Sequence, residues 1–118
     1  MFLGLRTTIY PAPNLAESKA FFSGLLGLEP YFDQPYYVGF GVGGFELGLD
    51  PNADPSAGAI TYWGVAEIAS AHEGLLTGGA IPRSGIDDVG EGIKVATVTV
   101  PGGAILGIIE NPHFQQPT

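Results

Sequence analysis

Apolar positions in this chain alternate, then fall at helical spacing, then alternate again, and the cycle runs twice. The first cycle opens with the β-like run LRTTIY at 5–10, which PAPN breaks. A helix is predicted over 15–26, because Leu15, Phe22, Leu25 and Leu26 lie near one face. Asn14 suits the N-cap, Glu17 completes a capping-box spacing, and Gly27 is a left-handed stop. Strands are predicted at 29–32, 36–42 and 45–49. The second cycle starts at Ile60 with ITYWGVAEI. Its helix is predicted over 68–76, stopped by Gly78 and Gly79, with strands at 81–82, 93–100 and 104–110. Between the cycles, residues 51–59 are rich in Pro, Asp, Ala and Gly and read as a linker.

Each cycle is thus β-α-β-β-β, and the expected fold class is α+β. Module one is 1–50, module two 60–113 and the tail 114–118, within a single domain. The two modules are expected to form a cupped, mostly antiparallel sheet with the helices on its convex face.

Turn geometry divides the strand residues between faces. A two-residue turn at Gly43-Gly44 would pair Val42 with Phe45. Alternation then groups Tyr36, Val38, Phe40, Val42, Phe45, Leu47 and Leu49 under the helix. Tyr37, Gly39, Gly41, Glu46 and Gly48 take the concave face. A turn at Gly102-Gly103 would likewise put Ala96, Val98, Val100, Ile105, Gly107 and Ile109 on that face. Thr7, Ile9, Ile60, Tyr62 and Gly64 would join them from the opening strands. The glycines should leave room there for a ligand or a neighbouring subunit.

Composition removes several chemistries. There is no cysteine, which excludes disulfides, thiolate metal sites and a thiol nucleophile. This fits a reducing compartment, and the cytoplasm is the expected location. The formal charge is −8, with Arg6, Lys19, Arg83 and Lys94 as the cations. Such a surface repels phosphate backbones, so no nucleic acid is expected as partner. The apolar run at the N-terminus is too short for a signal peptide, and no run is long enough for a membrane span.

Four segments resemble the vicinal oxygen chelate superfamily of glyoxalases, bleomycin-resistance proteins and extradiol dioxygenases. They are PNLAESKAFFSGLLGLEPYF, YYVGFGVGGFELGLDPN, GVAEIASAHEGLLTGGA and TVPGGAILGIIENPHF, which together cover nearly the whole chain. The resemblance implies two metal ligands from the first strands of the two modules and two from the last strands. Counting back seven residues from Asn14 and Glu67 gives Thr7 and Ile60. Counting four on from Gly44 and Gly103 gives Gly48 and Gly107. Two glycines and an isoleucine offer no side-chain donor, so neither a metal nor another cofactor is expected.

Glu46 is the strongest chemical candidate, as a general base or as the partner of a cationic or hydroxylated ligand. Tyr37 and Tyr62 could stack on a ligand or hydrogen-bond to it. The expected ligand-binding set is Thr7, Tyr37, Glu46, Gly48, Tyr62 and Gly107. Trp63 should pack under the second helix, and His72 should be a partly exposed helix residue. Arg83 is expected in a loop, paired with Asp87 or Asp88, and Asp87-Asp88-Glu91 in a solvated acidic loop. The Glu110-Asn111-His113 group in GIIENPHF reads as a strand end running into a tail. The resemblance then implies a metal-independent protein of the bleomycin-resistance kind, binding a small, partly apolar molecule, and the exposed apolar parts of such small sheets make a homodimer the expected assembly. The alternative is a glyoxalase-like lyase or isomerase, with Glu46 as base or with a displaced metal site.

Overall fold

The computed structural model describes residues 1–115. Its strands are β1 (Phe2–Pro11), β2 (Phe32–Gln34), β3 (Tyr37–Val42), β4 (Phe45–Asp50), β5 (Ile60–Val65), β6 (Ile81–Gly90), β7 (Ile93–Thr99) and β8 (Ile105–Glu110). Its helices are α1 (Leu15–Leu26) and α2 (Ile68–Thr77), with a 3₁₀ turn at Pro55–Ala57. The β-α-β-β-β order therefore occurs twice, and the fold class is α+β. None of the helices among the described residues is long and apolar enough to cross a membrane. Two compact units are present: Thr7–Ile60, and Met1–Arg6 with Thr61–Gln115. The division passes through β1, between Arg6 and Thr7.

In the first unit the strand order is β2-β3-β4-β1. β4 runs parallel to β1, with Thr7 opposite Glu46, and antiparallel to β3, with Val42 opposite Phe45. The tight turn between β3 and β4 follows from Gly43 and Gly44, both at positive φ. α1 starts where Asn14 Oδ1 accepts the Glu17 N–H at 3.2 Å, and it ends at left-handed Gly27. Val38, Phe40, Leu49 and Ala12 form the buried core, covered by Leu15, Phe22 and Leu26 of α1 and by Leu47. Val38, Phe40, Leu47 and Leu49 thus share the helix face, as alternation requires. Tyr36, Val42 and Phe45 have the same parity, but all three are exposed.

In the second unit the order is β5-β8-β7-β6. Its core is Val65, Ile68, Ala71, Ala96 and Ile108, with Leu75 and Leu106 against it. Here the expected faces are corrected. β7 pairs with β8 so that Thr97 lies opposite Gly107, and Ala96 and Val98 opposite Ile108 and Leu106. The connection spans residues 100–104 instead of a two-residue turn. The register therefore slips by one, and a one-residue slip exchanges the faces of a strand. Ala96 and Val98 belong to the helix side, and Thr97 shares the Gly107 face.

The second correction concerns β6. This strand continues to Gly90, with all ten residues exposed at the end of the strand order. Arg83, Asp87 and Asp88 are thus strand residues, not parts of a loop. Arg83 donates to Thr97 Oγ1 at 3.3 Å, not to either aspartate. Trp63 lies partly buried against Phe2, with ring centroids 5.0 Å apart, and is not among the residues packed against the core under α2.

Candidate functional site

In the first unit, three hydroxyls converge on one carboxylate. Glu46 projects from β4 with Thr7 directly opposite on β1. Thr7 Oγ1 donates to Glu46 Oε1 at 3.0 Å, and the Tyr37 hydroxyl donates to the same oxygen at 2.9 Å. The Tyr31 hydroxyl donates to Oε2. Thr7 is buried, Tyr37 and Glu46 are half-buried, and Tyr31 is open to solvent. Partial burial, the hydrogen bond to Glu46 and the negative charge of Glu46 all raise the Tyr31 hydroxyl well above the ordinary tyrosine range.

Glycines make this arrangement possible. A Cβ on Gly39 would come within 2.7 Å of Glu46 Oε2 and 3.2 Å of the Tyr31 ring. One on Gly48 would collide with the Tyr37 hydroxyl. The glycine row was expected to leave space for a ligand. Instead, the side chains of Tyr31, Tyr37 and Glu46 lie on it.

The second unit holds a related pairing. Tyr62 stands opposite Gly107 across parallel strands β5 and β8. A Cβ on Gly107 would lie 2.5 Å from the Tyr62 ring. On the same face of β7, Ser84 and Thr97 share a 2.8 Å hydroxyl contact, and Ser84 Oγ accepts the Thr97 N–H at 2.9 Å. Arg6 is buried, donates to the Leu5 carbonyl at 3.0 Å, and holds its guanidinium 3.9 Å from the Phe114 ring centroid. Burial lowers its pKa. An apolar depression bordered by Met1, Val65, Ala66, Glu67, Ser70 and Ala71 contains none of the expected site residues.

Thr7, Tyr37, Glu46 and Gly48 are therefore brought together in one unit, and Tyr62 with Gly107 in the other. Tyr31 was missed. Its position beside β3 depends on its backbone N–H donating to the Gly39 carbonyl at 3.0 Å. An aromatic residue next to a strand with glycine at alternate positions was the available signal.

The residues of GIIENPHF have structural partners. Glu110 Oε1 accepts the Ile68 N–H at 2.9 Å, capping α2 where Glu67 makes no side-chain cap. Asn111 Oδ1 accepts the His113 N–H at 2.9 Å. The His113 ring contacts the Glu91 carbonyl at 2.8 Å, and Glu91 is held at φ 57°.

The residues present do not fit the metal site that the resemblance implies. Gly48 and Gly107 have no donor, and tyrosines fill their Cβ space. Among the described residues, no three His, Asp or Glu side chains form a group able to hold a metal ion.

No protein-family model matches the chain, and no curated protein matches its sequence. Solved structures do match it in fold. Methylmalonyl-CoA epimerase of Streptomyces coelicolor superposes with a TM-score of 0.78 at 13% identity, covering 99% of this chain and 100% of that one. A glyoxalase/bleomycin resistance protein/dioxygenase superfamily member from Vibrio splendidus 12B01 gives 0.68 at 17% identity, covering 91% and 99%. A Legionella pneumophila protein described as an NAD-dependent benzaldehyde dehydrogenase gives 0.71 at 19%, covering 88% and 96%. Such varied activities within one architecture carry no reaction over to this chain. The repeated β-α-β-β-β order and these superpositions, which cover 88–99% of the chain, give it the vicinal oxygen chelate fold.

Proposed function

We propose that this protein binds a small, partly apolar molecule without a metal cofactor, using the face that carries Glu46, Tyr31, Tyr37 and Thr7. One observation supports the reading above the rest: Tyr37 covers Gly48 and Tyr62 covers Gly107, at both last-strand positions where a metal-binding relative would place a carboxylate. Aromatic surface with a few fixed polar groups is a common lining for a small-molecule site. The enzyme reading gives Glu46 the role of base. Its oxygens already accept three hydroxyl hydrogen bonds, which leaves little capacity to take a substrate proton. Binding is therefore the favoured reading.

Metal analysis of protein purified without chelator, with mass spectrometry of co-purifying small molecules, tests it. The expected result is an organic ligand without a stoichiometric transition metal. A tightly held, stoichiometric transition metal would overturn the proposal.

Assembly as a homodimer is also proposed. It is supported by Phe21 and Leu25 on α1, which are 62% and 65% exposed. Light scattering on the full chain should give twice the monomer mass, and a monomer at micromolar concentration would refute it. The cysteine-free composition supports the cytoplasm as the place of action.

A further inference from the structure

We propose that the Glu46 cluster recognises an organic cation, a substituted ammonium group held by the carboxylate charge and the rings of Tyr31 and Tyr37. The inference rests on the reading of this face as a binding site and adds the chemistry of the ligand.

The first argument is charge. Glu46 is half-buried, and its three hydrogen-bond partners are neutral hydroxyls. Hydroxyls stabilise a carboxylate without cancelling its charge. The first unit carries Glu17, Glu29, Asp33, Glu46, Asp50 and Asp54 against one cation, Lys19, which is paired with Asp33. Arg6 lies over Phe114, Arg83 donates to Thr97, and Lys94 stands opposite Glu110 in the β7–β8 register. The field around Glu46 attracts positive ligands.

The second argument is hydrogen-bond capacity. A carboxylate offers about four lone-pair sites, and three hydroxyls already donate to Glu46. A ligand rich in hydroxyls or amides would find little capacity left. A quaternary ammonium needs none, because it interacts through charge alone.

The third argument is the surrounding surface. The Tyr31 ring lies over Gly39 and Gly41, and the Tyr37 ring lies over Gly48. Phe32 adds a third ring, 6.2 Å from Tyr37 between centroids, and Tyr36 stands 6.1 Å from Phe32. Aromatic faces attract weakly hydrated cations. A hard metal ion would instead need several oxygen ligands, which one carboxylate does not supply. Tyr31, 66% exposed, leaves the cluster open to solvent.

The test titrates the full chain with choline chloride and with choline's neutral analogue, in which carbon replaces the quaternary nitrogen. Aromatic NMR shifts of Tyr31 and Tyr37 report binding. Choline should bind about tenfold or more tightly than the neutral analogue. Glu46→Gln and Tyr31→Ala should each weaken it severalfold, and added salt should weaken it further. Tyr31 is exposed, so its truncation serves as the test if Glu46→Gln fails to fold. Equal affinity for the two probes, or unchanged choline affinity in the variants, would overturn the cation inference. If the neutral probe still shifted Tyr31 and Tyr37, the binding reading would stand. If neither probe shifted them, both would fall.

Discussion

The hydroxyl and ring of Tyr37 occupy the space that a side chain on Gly48 would need. Gly39 faces Gly48 across the β3–β4 ladder, and Tyr37 lies two residues before it on the same side of β3. Gly48 is therefore the floor on which Tyr37 rests while it donates to Glu46. Gly48→Ala should push Tyr37 off that floor and break its bond to Glu46. The expected loss is about 1–3 kcal/mol, as for other overpacked sites. Denaturant unfolding measures it, and in a Tyr37→Ala background most of the loss should vanish. An equal penalty in both backgrounds would show that the contact does not govern position 48.

Tyr31 should hold its proton through the pH range in which an ordinary tyrosine, with pKa about 10, loses it. The sign follows from linkage. The folded-state value is raised above the unfolded one, so the folded chain binds more protons between them. The stability contributed by the Tyr31–Glu46 bond is complete below the unfolded value. It is lost as pH rises through the folded value. Phenolate absorbance should show a late-titrating step, and Tyr31→Phe should remove it.

Much of this was legible from pattern. The limits of α1 follow from Asn14, Glu17 and Gly27, because local capping chemistry decides them. The pairing of Val42 with Phe45 follows from two glycines at positive φ. The β7–β8 register was not legible. Gly102 and Gly103 suggest the same short turn, yet residues 100–104 all belong to the connection. Residues 96 and 98 against 97 are apolar against polar, and that contrast should have outweighed the turn motif. Tyr31 was missed because its role depends on contact across strands, which spacing along the chain does not encode. The glycine row was identified, but its function was inverted: absent Cβ atoms seat the protein's own tyrosines.

Ser84 should matter more than an exposed edge-strand serine normally does. The β6–β7 register shifts on both sides of Ser84, and its Oγ takes the Thr97 N–H that a regular ladder would give to a carbonyl. Thr97 is only 4% exposed, so water cannot readily replace the lost acceptor. Ser84→Ala should destabilise the chain by about 1–3 kcal/mol. Faster hydrogen exchange confined to the Thr97 amide and its neighbours would locate the effect.

Glu110 should behave as a helix cap supplied from a distant strand. The Ile68 N–H at the start of α2 points to Glu110 Oε1, because Glu67 at the N-cap leaves the N-terminus without its own acceptor. A carboxylate there also complements the positive end of the helix dipole. Glu110→Ala should cost about 0.5–2 kcal/mol, the usual range for losing a cap. Glu110→Gln keeps an oxygen acceptor and should recover part of that loss. Thermal unfolding of the two variants against the parent chain makes the comparison. Ile68 and Ala71 belong to the second unit's core, so loosening the first turn of α2 should also lower the cooperativity of unfolding. If both variants unfold like the parent, Glu110 is a bystander, and α2 is held by its apolar face alone.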